Sequence, residues 1–136
     1  MRHLSVALFL VAVAAYAGPE KIAIADHDGA AVVIIDASDG KALGSVSLGQ
    51  DSPDRILAAP DGSRLAAISR GPGTITWALH NFRPTGHGSA SIIDAGTMTL
   101  AKRFELGWDA TDAQVTDDSR TLVVLSPGRE TTRSSR

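Results

Sequence analysis

The run IIDASDGKALGSVSLG at residues 34–49 returns as IIDAGTMTLAKRFELG at residues 92–107. No other feature of the chain constrains its fold as strongly. The copies share Ile34/Ile92, Ile35/Ile93, Asp36/Asp94, Ala37/Ala95, Leu48/Leu106, Gly49/Gly107, Asp51/Asp109 and Asp54/Asp112. After a one-residue deletion the match resumes with Asp61/Asp118, Leu65/Leu122 and Ser69/Ser126. Self-similarity at a fixed spacing is the signature of stacked structural units, each too small to bury its own hydrophobic face alone.

The unit is built of strands. Ala31-Val32-Val33-Ile34-Ile35, Leu65-Ala66-Ala67-Ile68 and Leu122-Val123-Val124-Leu125 are short apolar runs bounded by turn residues. They are too short for helices and suit strands covered on both faces. Arg103-Phe104-Glu105-Leu106 alternates, as a half-exposed strand does. Between the strands stand Ser38-Asp39-Gly40-Lys41 and Pro60-Asp61-Gly62-Ser63, where Asp-Gly supplies the positive φ of a tight turn.

In this order, Ile35-Asp36-Ala37, Asp39-Gly40-Lys41, Leu48-Gly49, Pro53 and Pro60-Asp61-Gly62-Ser63-Arg64-Leu65 resemble the YVTN-type β-propeller repeat over about residues 21–126. The final strand departs from that pattern, reading Ala66-Ala67-Ile68-Ser69, and the second copy has Thr97-Met98-Thr99 in place of Asp-Gly-Lys. The resemblance implies an all-β fold: a partial β-propeller of four-stranded antiparallel blades, in which strands A to D run outward from the channel. Residues 22–26, 31–36 and 42–48 then form strands B to D of a first blade. Residues 55–59, 65–69, 74–79 with 90–94, and 101–106 form a complete second. Residues 113–116 and 121–125 begin a third. Propellers have typically 4–8 blades, so about two and a half blades make an open segment of one.

The blades lie in residues 18–127: an incomplete blade at 22–48, a complete one at 54–106 carrying an insertion at 70–89, and an incomplete one at 112–126. Residues 1–17 are expected to form a signal-peptide helix. A basic start precedes an apolar stretch ending Ala15-Tyr16-Ala17, an A-x-A cleavage pattern, and the stretch is shorter than a membrane span needs. Cleavage after Ala17 directs the chain to the periplasm or outside the cell and leaves no stable membrane span. Residues 128–136 have no apolar side chain and are expected to be disordered. There is no cysteine, hence no disulfide and no lipid anchor on cysteine. The formal charge of −2, or −3 once Arg2 is removed, gives no global attraction for nucleic acid.

A meander sends alternate loops to opposite ends. One end collects Asp26-His27-Asp28-Gly29, Gln50-Asp51-Ser52-Pro53, Trp108-Asp109-Ala110-Thr111 and the long insertion. Long loops on a rigid scaffold are where binding resides. The ligand-binding candidates are therefore His27, Asp51, Trp77, His80, Arg83, His87, Trp108 and Asp109. The histidines match no metal-ligand spacing and read as solvated loop residues. Asp36 and Asp94 read as turn caps. No nucleophile–base–acid set is visible, so no catalytic residue, metal or cofactor is assigned.

These residues point to a secreted or periplasmic binding or scaffold module for an unknown ligand or protein, part of a larger propeller. The open blade edges also predict self-association. One alternative is part of a propeller enzyme, similar to lactone hydrolases or the propeller subunits of amine dehydrogenases; another is a truncated chain with no independent function.

Overall fold

The structure is a computed structural model that describes residues 4–9, 20–76 and 81–126. Among these residues it is all-β, and every strand pair is antiparallel. The first sheet is a meander of β1 (Leu4–Phe9), β2 (Lys21–Asp26), β3 (Ala31–Asp36) and β4 (Ala42–Ser47). The second orders β5 (Arg55–Ala58), β6 (Arg64–Ser69), β9 (His87–Asp94) and β10 (Thr99–Trp108) from one edge to the other. Between β6 and β9 the chain makes a separate hairpin, β7 (Gly73–Thr76) with β8 (Asn81–Pro84). A third sheet holds β11 (Asp112–Val115) and β12 (Leu122–Leu125). Strand β5 lies against both β1 and β11, so the first strands of the three sheets share one side of the stack.

Two features differ from the sequence expectation. Residues 4–9 are not part of a signal helix: they pair with β2 from Leu4↔Asp26 to Phe9↔Lys21 and give the first blade its innermost strand. A helix apolar all round needs an apolar surrounding. Within the folded chain the same residues meet the open edge of β2, whose unpaired N–H and C=O groups favour a further strand. Residues 10–19, with the expected cleavage site, lie outside the described residues, as do 127–136. The second difference concerns the insertion. Strand β10 runs back to Trp108, which pairs with His87, so β9 begins at His87 and takes in Ser89. Residues 74–76 then belong to the hairpin rather than to the third strand of the blade.

Alternation builds the core. Ala23, Ala25, Val32, Ile34 and Val46 of the first blade pack on Ile56, Leu65, Ala67 and Ile93 of the second. The opposite face of the second blade, with Ala66, Ile68 and Ala90, packs on Ala110 and Ala113, and on the half-buried Leu122 and Val124. Strand β6, sandwiched between neighbours, is buried from Leu65 to Ser69. The Asp-Gly turns form as read, with Gly40 at φ 73° and Gly62 at φ 74°. Asp36 accepts hydrogen bonds from Ser38 N at 2.8 Å and Ser38 Oγ at 2.5 Å. Asp94 accepts from Gly96 N and Thr97 N, both at 2.9 Å.

Candidate ligand cleft

The face that the second blade turns toward the first is graded along its length. Cross-strand pairs place Leu65 beside Ile93, then Ala67 beside Ser91, then Ser69 beside Ser89. Strand β10 extends the last two rows with Arg103 and Glu105. The face therefore begins aliphatic, becomes hydroxylic and ends charged. At the charged end the blades part and leave a cleft of about 830 Å³, a size usual for small-molecule sites.

Six segments meet there: the β2–β3 turn with His27, the β4–β5 connection through Asp51 and Asp54, the exit of β6 through Arg70 and Gly71, the β7–β8 hairpin with Ile75 and Phe82, the start of β9 at His87, and the outer strand β10. The turns and connections among them are those that strand parity assigns to one end. The close approach of β6 and β9 at the base depends on glycine. Gly71 has φ +93°, and a Cβ there would stand 2.4 Å from the His87 carbonyl oxygen. A Cβ on Gly88 would stand 2.5 Å from the carbonyl oxygen of Ser69.

Asp51 is the anchor of the floor, its side chain 18% exposed. The Arg103 guanidinium grips both carboxylate oxygens: Nη2 donates to Oδ1 at 3.0 Å and Nε to Oδ2. That hydrogen bonding holds the Asp51 carboxyl below its ordinary range against the opposing effect of partial burial. Ser89 adds the smallest contribution, and its buried Oγ, like that of Ser91, finds no partner at full hydrogen-bond geometry. Arg70 donates from Nε to Asp109 Oδ1 at 2.8 Å and lies 3.9 Å over the Phe82 ring. Cation, ring and carboxylate thus tie the β7–β8 hairpin to the β10–β11 connection. Asp109 makes this contact from a backbone with φ 54°.

Among the described residues two carboxylates of the lining form no direct ion pair with a guanidinium, although Glu105 supports the charge of Arg103 from a distance. Asp54 accepts from Arg70 N at 2.7 Å, and its other oxygen is 3.5 Å from His27 Nδ1. Glu105 is 3.9 Å from His87 Nδ1. His27 Nδ1 also approaches Pro53 O at 3.4 Å, and His87 Nδ1 lies 3.0 Å from Leu106 O.

The structure brings three of the sequence-derived candidates, His27, Asp51 and His87, to this cleft. Asp109 supports it through Arg70, and Trp108 meets His87 with ring centroids 5.5 Å apart. Arg83 is exposed on β8, away from the lining. Trp77 and His80 lie outside the described residues. Sequence reasoning did not find Arg70, Phe82, Asp54, Glu105 or Arg103. The Asp51–Arg103 pair joins positions far apart in the chain, and only the blade packing makes them neighbours. Among the described residues no three His, Asp or Glu side chains converge to hold a metal ion. Nor is any helix long and apolar enough to cross a membrane.

No family model and no curated protein matches the chain. Among solved structures it is similar to Kuenenia stuttgartiensis hydrazine synthase, with a TM-score of 0.60 and 19% identity over 76% of this chain. The chain spans 28% of that protein's length. At this identity the likeness concerns the fold alone, and it identifies the stacked antiparallel sheets as propeller-like.

Proposed function

We propose that this chain is a segment of a YVTN-like β-propeller that acts outside the cytoplasm and binds a small positively charged ligand in the cleft between its first two blades. The repeat order and the propeller-like neighbour support the fold assignment. The A-x-A leader supports export, with cleavage after Ala17.

One observation carries the ligand class: the charge left over in the cleft. Arg103 is bound to Asp51, and Arg70 to Asp109, so each guanidinium is neutralised in place. Four carboxylates, Asp51, Asp54, Glu105 and Asp109, stand against these two guanidiniums, so the cleft keeps a negative excess even though Glu105 also acts on the Arg103 charge; Asp54 and Glu105 have His27 and His87 beside them. Beside them Ile75 and Phe82 supply an apolar wall. A cation with a flat apolar body gains Coulomb attraction and a surface to lie on; an anion of the same shape meets the excess carboxylates.

Benzamidine and benzoate are a matched cation and anion, which makes them suitable probes. In NMR titrations benzamidine is expected to shift the amides of Asp51–Asp54 and Arg70–Gly73 saturably, and benzoate is not. Asp54→Asn should weaken the effect. Preferential binding of benzoate, or of neither compound, overturns the assignment.

A further inference from the structure

Two imidazoles line the charged cleft, one from each blade. His27 stands in the β2–β3 turn of the first blade, and His87 opens β9 of the second. His27 Nδ1 lies 3.4 Å from the Pro53 carbonyl oxygen and 3.5 Å from Asp54 Oδ1. His87 Nδ1 lies 3.0 Å from the Leu106 carbonyl oxygen and 3.9 Å from Glu105 Oε1. A carbonyl oxygen only accepts, so in each neutral ring the proton sits on Nδ1 and the lone pair on Nε2. The two nitrogens of an imidazole point to opposite sides of the ring, and holding Nδ1 against the backbone turns Nε2 away from it. Among the described residues neither Nε2 has a hydrogen-bond partner. The His27 and His87 side chains are 42% and 50% exposed. The Trp108 ring, tilted against His87, also restrains that imidazole.

We propose, on the basis of the cation assignment above, that the ligand donates N–H hydrogen bonds to His27 Nε2 and His87 Nε2, and that protonation of these rings releases it. The ligand class narrows to cations with N–H donors, such as amidinium or guanidinium. A quaternary ammonium has the charge and no N–H. It would cover Asp54, Glu105 and the two lone pairs without donating to any of them, and those acceptors would lose water for nothing in return.

Each ring acts in two ways. When neutral, its Nε2 accepts an N–H. When protonated, its Nε2 becomes a donor that faces the ligand's own N–H, and the ring adds a positive charge. Two such charges cancel the excess of four carboxylates over two guanidiniums. The charged groups around His27 are Asp26 and Asp28 in its own turn and Asp54 on the β4–β5 connection. Glu105 faces His87 from β10, and Asp51, Arg70 and Arg103 complete the charged lining. Of these residue types histidine alone ordinarily changes charge between pH 5 and 8.

Benzamidine and phenyltrimethylammonium share an aromatic ring and a single positive charge and differ in N–H donors. In calorimetric titrations of the full chain at a pH of about 7.5, benzamidine is expected to bind about tenfold more tightly or better. A proton that must leave before the ligand enters lowers affinity by up to about tenfold per pH unit. From there down to a pH of about 5, the logarithm of the benzamidine affinity should therefore fall with a limiting slope of about two, one for each ring. His27→Gln and His87→Gln each substitute a side chain that takes up no proton, and each should bring the slope to about one. An affinity that does not change with pH, or a slope left intact in both variants, overturns the proposal and leaves the cation assignment standing. So does equal binding of the two cations at neutral pH. Failure of benzamidine to bind at any pH removes the cation assignment and this proposal with it.

Discussion

Val32 and Val33 are neighbours of one type on one strand, which makes them a sensitive test of the blade packing. Val32 is fully buried against the second blade, whereas Val33 points to the outer face and is half-buried. Backbone propensity is the same for both, so substitution by alanine isolates the face. Each change removes two carbons, worth about 1.6 kcal/mol at about 0.8 kcal/mol per buried CH₂. At Val32 a cavity adds to this, because Ala23, Ile34 and Val46 are held by their own strands and collapse only partly. The expected cost is about 2–3 kcal/mol. At Val33 half the transfer energy is already forgone and no cavity forms, so the cost is about 0.5–1 kcal/mol. Against a domain stability of about 5–15 kcal/mol the difference is large. With a urea slope of about 1–3 kcal/mol per molar, the two midpoints should separate by about 1 M, Val32→Ala being the lower. Equal midpoints, or the reverse order, would falsify the stacking direction and mean that the first blade turns its other face to the second.

Three further outcomes follow from the same geometry. Gly88→Ala should destabilise by about 2 kcal/mol or more in the same denaturation assay, since its Cβ meets the Ser69 carbonyl, a backbone atom that cannot swing away. The stabilisation carried by five aspartates should hold until the pH falls to about 4. The carboxyls of Asp36, Asp51, Asp61, Asp94 and Asp118 all lie below their ordinary 3.8 in the folded chain. Their stabilisation is therefore complete above the unfolded value and is lost as pH falls from there through the lower folded values. A transition centred near pH 6 would point to other groups. Finally, mass spectrometry of exported protein should find Gly18 as the first residue; hydrogen exchange should then show lower protection for Ile22–Ala25 than in the unprocessed chain, because β1 no longer covers that edge.

How much of the candidate site was legible depends on how local its causes are. Strand parity alone assembled the loops of one end, so His27, Asp51, His87 and Asp109 were reachable from the sequence. Their partners were not. Arg103 looked like the exposed residue of an alternating strand, which it is, and nothing local says that its guanidinium meets Asp51 across the blade junction. Phe82 and Arg70 read as members of an insertion, and their stacking depends on how the β7–β8 hairpin folds back.

The sequence by itself determined the strands, the Asp-Gly turns, the Asp caps and the repeat, because each rests on interactions within a few residues: φ preference, period-two alternation and a carboxylate reaching backbone two or three positions on. Tertiary structure decided what those interactions leave open. It set residues 4–9 on the edge of β2, since an apolar segment takes whichever apolar or unpaired surface is within reach. It began β9 at His87, because the length of a strand is set by the partner it pairs with. It also divided the charges of the cleft into neutralised pairs and a carboxylate excess, which depends on distances between blades that no local pattern encodes.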